Sequence, residues 1–195
     1  MRIPSILFLV QAVTESLPIS SSGHCMLVSR FVSQRLPATI TEWWYEAAHL
    51  ANAFATTLFW LHYWWPLLDN FLLAPIEYMH YPLYFLIAVG VPVAVYFLTG
   101  QLIQPIAPLF FGFFSTIVIL LFVPSVPVFI NDPWSWQAAL LIGCGQAVAL
   151  FFPGLSRLAL VYAAVLSTNR LPIDALAVAF LVQLPIMFAG GIRGY

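Results

Sequence analysis

Ten consecutive residues hold most of the chemistry this chain could perform: Glu15-Ser-Leu-Pro-Ile-Ser20-Ser21-Ser22-Gly23-His24. The run Ser20 to His24, directly after Pro18, has the form of a helix start, with serines able to cap it and first-turn N–H groups free to take a phosphate. In a helix Ser20 and Ser21 lie four and three residues before His24, so a hydroxyl and an imidazole share a face, the spacing of a nucleophile and its base. The plainer alternative is that the serines only cap and His24 is a buried, satisfied histidine. Glu15 weighs against it, because a carboxylate inside an apolar segment is costly and needs a partner. Arg157 follows Pro153-Gly154-Leu155-Ser156 and is flanked by charge-free stretches over 133–156 and 158–169. Two uses are open to it. It can form a structural ion pair with Glu15, or it can fork onto phosphate oxygens while Glu15 helps hold a divalent metal or acts on a proton. A carboxylate, hydroxyls, a histidine and an arginine on facing helix breaks are suited to phosphoryl transfer at a membrane.

Other polar residues lie in apolar surroundings. Glu46, His49 and Asn52 are spaced three apart and form a stripe that faces a bundle interior, where Glu46 is a candidate for the site. His49, Asn52, Gln146 and Gln183 suit hydrogen bonds between helices.

The elements that must position these groups follow from composition. Of 195 residues, 63% are hydrophobic and 7% charged, against about 25% charged in a soluble domain, and lysine is absent. A water-soluble globule is excluded. A net charge of −1 offers no basic field for a phosphate backbone, so nucleic acid is no partner and membrane lipid is the expected surroundings. Cys25 and Cys144 lie far apart in apolar runs, which argues against a disulfide framework or a zinc site. No charge occurs between Glu77 and Asp132, room for two crossings, over about 80–99 and 107–130; further spans are expected over about 43–65 and 173–193. Tryptophans 43, 44, 60, 64 and 65 near the ends of the 43–65 span suit the headgroup level.

The segment from Gln11 to Ser21 recurs from Gln146 to Ser156, displaced by 135 residues with Gln, Ala, Val, Pro and Ser in register. Each copy has two short apolar stretches around a proline break, too short for full spans. The expected fold is an all-α polytopic membrane protein: an inverted repeat in which two re-entrant helix hairpins meet near the bilayer midplane. It forms a single transmembrane domain over 1–195, with a first repeat over about 1–130 and a shorter second repeat over about 134–195. On this logic the chain is about two helices short.

The run Glu15 to His24 resembles the Glu-Phe-Leu-Pro-(Ile/Val)-Ser-Ser-Thr-Gly-His signature of the bacterial undecaprenyl-diphosphate phosphatases of the bacitracin-resistance type. Pro153-Gly-Leu-Ser-Arg157 resembles that family's Pro-Gly-x-Ser-Arg-Ser-Gly motif. The resemblance implies a multi-pass enzyme of the bacterial inner membrane that takes the terminal phosphate from a polyprenyl diphosphate lipid, regenerating the carrier for peptidoglycan synthesis. It also implies a divalent cation, Mg2+ with Ca2+ as the alternative, and a site facing the periplasm. By position it makes Ser21 the nucleophile or phosphate ligand, His24 the general acid/base, Glu15 the metal-associated acid and Arg157 the diphosphate clamp. Ser20, Ser22, Gly23, Gly154 and Ser156 complete the binding site. The family usually carries a second acid where this chain has Gln11, and a neutral amide neither accepts a proton as a carboxylate does nor ligates a cation as well. After Arg157 the family's Ser-Gly is Leu158-Ala159. A transporter that binds the lipid phosphate without cleaving it, and a homologue that has lost catalysis, fit the same residues. Whether two chains pair as a homodimer is open.

Overall fold

A computed structural model of the chain describes residues 3–32, 38–99, 108–122, 135–168 and 171–193; the side chains of 3–4, 32, 38–46 and 190–193 fall outside that description. Eight helices account for nearly all of it: α1 (Ile3–Glu15), α2 (Ser21–Val32), α3 (Ala38–Leu73), α4 (His80–Thr99), α5 (Leu109–Phe122), α6 (Trp136–Ala149), α7 (Arg157–Leu166) and α8 (Pro172–Arg193). No strand occurs among the described residues. In lipid every backbone polar group must be satisfied within the protein, and helices do this internally.

The breaks have local causes. α1 ends at Glu15 ahead of Pro18, which disfavours helical geometry at Leu17. α2 restarts on Ser20, whose Oγ accepts from Gly23 N at 3.3 Å. α6 begins on Ser135, whose side chain accepts from Ala138 N at 3.3 Å, and stops just short of Pro153. α7 restarts on Ser156, whose Oγ accepts from Ala159 N at 3.2 Å. The two helix–break–helix units thus fall on the two copies of the sequence repeat, and within each unit the helices pack together, α1 on α2 and α6 on α7.

His80–Thr99 and the Pro172–Ala189 part of α8 are long and apolar enough to cross a membrane. α4 turns apolar side chains outward, Phe97 and Leu98 being 63% and 85% exposed, a surface suited to acyl chains. α3 departs from the expected 43–65. It runs through Pro66, which neighbouring packing tolerates in a membrane helix, to Leu73, 36 residues, and stops ahead of Ala74-Pro75. Trp60 and Trp64 are both buried against α8 and do not face outward: Trp60 stacks on Phe180 of α8 at 5.8 Å, and Trp64 Nε1 donates to the Ala177 carbonyl at 3.0 Å. Buried Ala175, Ala177 and Ala179 keep α8 slim on more than one side, so that neighbouring helices can approach it closely.

On the other side α4 packs on α6, where Gln146 Nε2 donates to the Ala88 carbonyl at 3.1 Å. α5 is pressed onto the second break: a Cβ at Gly112 would overlap the Pro153 carbonyl oxygen and sit 2.7 Å from the Gly154 carbonyl carbon. Backbone cannot yield as a side chain can. Gly112→Val is therefore expected to lower the thermal midpoint of the detergent-solubilised protein sharply. Gly90→Ala, where a Cβ meets nothing within 4 Å, should leave it unchanged.

Candidate functional site

α1 carries Gln11 and Glu15 one turn apart on its buried face, 1% and 3% exposed. Glu15 ends the helix, where the backbone dipole is negative, so its carboxylate requires donors from elsewhere. Two amides supply them. Gln11 Nε2 donates to Glu15 Oε2 at 2.7 Å, and Gln183 Nε2, from α8, donates to Glu15 Oε1 at 3.2 Å. His49 Nδ1 stands 3.9 Å from the same Oε1. Gln11 is itself held on several sides: its Oε1 accepts from Cys25 Sγ at 3.0 Å, its Nε2 lies 3.2 and 3.4 Å from the two ring nitrogens of His49, and Asn52 Nδ2 donates to its backbone carbonyl at 3.4 Å. Four helices, α1, α2, α3 and α8, thus converge on one carboxylate.

The facing wall comes from α5 and the second break. Gly154 has φ +88°, a left-handed conformation open to glycine. Thr116 Oγ1 lies 3.2 Å from the Gly154 carbonyl and accepts from Ser156 N at 2.9 Å, which fixes the start of α7. Arg157 then stands at the first position of α7. At the first break Ser20 is also left-handed, φ 65°, a strained setting for a residue with a Cβ and one that recurs at functional sites. The two breaks touch: a Cβ on Gly23 would lie 2.8 Å from Gly154 Cα.

Between these walls lies a small cleft of about 20 Å³, lined by Glu15, Ser20, Ser21, Ser22, Ser156, Arg157 and Gln183, together with Thr14, Leu17, Leu155 and Leu158. The residues singled out on the two distant motifs therefore come together. No ion pair within 4 Å joins Glu15 to Arg157 among the described residues, so of the two uses open to this arginine the structural pair is not formed.

His24 takes a different position from a serine-bound base. Its Nδ1 meets the Ser20 backbone carbonyl at 2.8 Å, its ring packs edge-on against Phe113 at 4.8 Å, and it is not among the cleft-lining residues. The carbonyl can only accept, so Nδ1 donates to it and Nε2 is left for another partner. The side chain of Glu46 lies outside the described residues; His49 and Asn52 of its stripe are buried against Gln11. Gln183 and Thr116 are the residues that sequence reasoning undervalued. Gln183 showed as a polar residue in an apolar span, without its partner; a single threonine in a membrane helix gives no signal.

The cleft is polar: Glu15 and Gln183 bring acceptors to it, and Arg157 and the starts of α2 and α7 bring donors, an arrangement that suits a phosphate and a nucleophile. No group of three or more His, Cys, Asp or Glu able to cage a metal occurs among the described residues. Residues 5–194 match the family described as bacitracin resistance protein BacA. The chain is 31% identical over 204 residues to the undecaprenyl-diphosphatase of Thermotoga maritima, covering 97% of this chain and 77% of that protein. It is 25% identical to the undecaprenyl-diphosphatase of Desulfitobacterium hafniense, covering 94% of this chain and 70% of that protein. With the family match spanning almost every residue, and the two motifs that carry the likeness facing each other across one cleft, the chain belongs to the bacitracin resistance protein BacA family.

Proposed function

We propose that this membrane protein hydrolyses undecaprenyl diphosphate to the monophosphate and inorganic phosphate, returning the carrier lipid to peptidoglycan synthesis. The observation that carries this reading is the meeting of the two breaks, which sets Arg157 and the starts of α2 and α7 on the cleft that holds Glu15. The relatives' shared activity supports it. The cleft opens outward, and the exposed apolar helix faces outside suit the polyprenyl chain.

In this reading Arg157, the Ser21 and Ser22 hydroxyls and the free N–H groups of the two helix starts bind the diphosphate, with Gly23 and Gly154 letting the backbones close on it. Ser20 and Ser156 cap those starts and keep their N–H groups aimed. Ser21 Oγ has no hydrogen bond to His24 or Glu15 among the described residues, so Ser21 acts as a phosphate ligand and Glu15 takes the proton of an attacking water. His24, oriented by the Ser20 carbonyl, offers Nε2 for proton exchange with the phosphate groups.

A divalent cation fits the hard oxygen donors here. Each Glu15 oxygen accepts one amide bond and keeps a further lone pair, and serine hydroxyls stand nearby. Mg2+ characteristically uses one or two carboxylates plus substrate phosphates, so Glu15 would hold it, or Ca2+ in its place. When bound, the cation supplies charge neutralisation on the diphosphate. Gln11 has no part in this, since its amide is spent on Glu15, Cys25 and His49.

The two units enter the bilayer from opposite faces, a reading supported by the 135-residue repeat and by the three helices α3 to α5 between them, an odd number that reverses direction. They are re-entrant, and the site lies near the midplane and opens to the periplasmic side of the inner membrane.

Purified protein should release inorganic phosphate from a C15 or C55 diphosphate with Mg2+, lose that release in EDTA and regain it on adding Mg2+ back. Release no higher than that of a His24→Ala control would sink the reading; headgroup binding without release would point to a transporter instead. Arg157→Ala should lower kcat/KM by about 10²–10³-fold, the scale for losing one well-aimed charge-stabilising donor. Wild-type release should lie within about tenfold of that of Gln11→Glu, a modest acid–base difference. Release confined to that variant would identify a decayed enzyme.

A further inference from the structure

Gln183 is 95% buried by its 5% exposure, lines the cleft and uses one end of its amide on Glu15. Its other end is unusual. Gln183 Oε1 is a buried acceptor with no hydrogen-bond partner in the protein, and leaving a buried polar atom unpaired costs about 1–3 kcal/mol. Nothing in helix packing calls for that acceptor. A leucine would fill the same space on α8 without the cost.

What the acceptor suits follows from its neighbours. Gln183 Oε1 belongs to the same planar amide as the Nε2 that touches Glu15 Oε1, and Glu15 Oε1 retains a lone pair after accepting that bond. Two acceptors side by side repel an ionised phosphate oxygen and attract a group with two donor hydrogens. Water is that group. Arg157 and the starts of α2 and α7 lie on the cleft as well and favour the anion. The acceptors thus seat the water and the donors seat the phosphate.

We propose that Gln183 is a catalytic residue of this chain, donating to Glu15 through Nε2 and seating the attacking water on Oε1; this rests on the hydrolytic reading given above. The water oxygen forms a bond to the terminal phosphorus and the bond from that phosphorus to the bridging oxygen breaks. The bridging oxygen leaves with the electron pair as part of the lipid monophosphate. One water proton passes to Glu15, and the remaining hydroxyl becomes part of inorganic phosphate. No oxidant, reductant or second substrate is needed.

The test is steady-state phosphate release by the full chain in detergent with Mg2+ and a C15 diphosphate, comparing wild type, Gln183→Leu and Gln183→Glu, with thermal midpoints measured alongside. Gln183→Leu keeps the volume but removes donor and acceptor, and is expected to lower kcat at least about tenfold with KM changed less than about threefold. Gln183→Glu shares one proton with Glu15 and so restores both a donor and an acceptor; it should recover part of the lost kcat. A purely structural bond between helices predicts instead that kcat follows the thermal midpoint in both variants, with no loss of kcat in a Gln183→Leu protein whose midpoint is unchanged. If Gln183→Leu fails to fold, Gln183→Ala is read by the same criteria. An unchanged kcat in an active wild-type background, a loss confined to KM, or a Glu variant no better than Leu overturns this inference alone. No release from wild type overturns the hydrolytic reading and this inference together.

Discussion

The structure depends on the contact between Gly23 and Gly154, where two interrupted helices meet through backbone. A side chain on either glycine would part them: a Cβ on Gly23 meets Gly154 Cα at 2.8 Å, and one on Gly154 meets the Leu109 carbonyl oxygen at 2.6 Å while adopting a φ of +88°. With the breaks in contact, two helix starts lie together, each with its own serine cap. Thr116 adds the remaining fixed point by accepting from Ser156 N, so α5 both covers the second break and sets the direction in which α7 begins. Four polar or glycine positions therefore determine where a cationic side chain, Arg157, stands in a chain with almost no charge to spare.

The opposite constraint acts on Glu15. An ionised group in low dielectric must be surrounded by donors, and this chain supplies them from neutral residues, Gln11 and Gln183, with His49 nearby. That choice explains how Gln11 stands at the position of a second acid without leaving a gap. Its amide is fully used, as donor toward Glu15 and as acceptor from Cys25, so the network that orients Glu15 closes without another negative charge. Cys25 is buried for the same reason, as a weak donor that fits a tight place.

Much of this was legible in local pattern. Pro18 and Pro153 marked where the breaks fall and Ser20 to Ser22 marked a helix start, because proline and capping hydroxyls act on their immediate neighbours. Scarcity of charge pointed to Glu15 and Arg157. What local pattern does not contain is register between distant helices. Gln183 meets Glu15 across 168 positions, and no spacing rule predicts which face of α8 is turned toward α1. The same gap hid the partners of Trp60 and Trp64: their rings pack on α8, which offers Phe180 to Trp60 and the Ala177 carbonyl to the Trp64 indole N–H. His24 was read as reaching a serine hydroxyl by helical spacing. The same spacing equally serves the Ser20 backbone carbonyl, four residues back, and the ring took that.

The length of α3 has a further consequence. At 1.5 Å per residue its 36 residues span about 54 Å, well beyond a hydrocarbon core of about 30 Å. Trp60 and Trp64 bind it to α8, and its His49 and Asn52 are held against α1, so it cannot slide to hide the excess. The surplus turns, whose last two include the exposed Asp69 and Asn70, must project into the headgroup region or beyond, or the whole helix must lean. Bilayer thickness then becomes a mechanical variable for this protein. A thicker or thinner membrane pushes on a lever whose far end bears on the residues that hold Glu15.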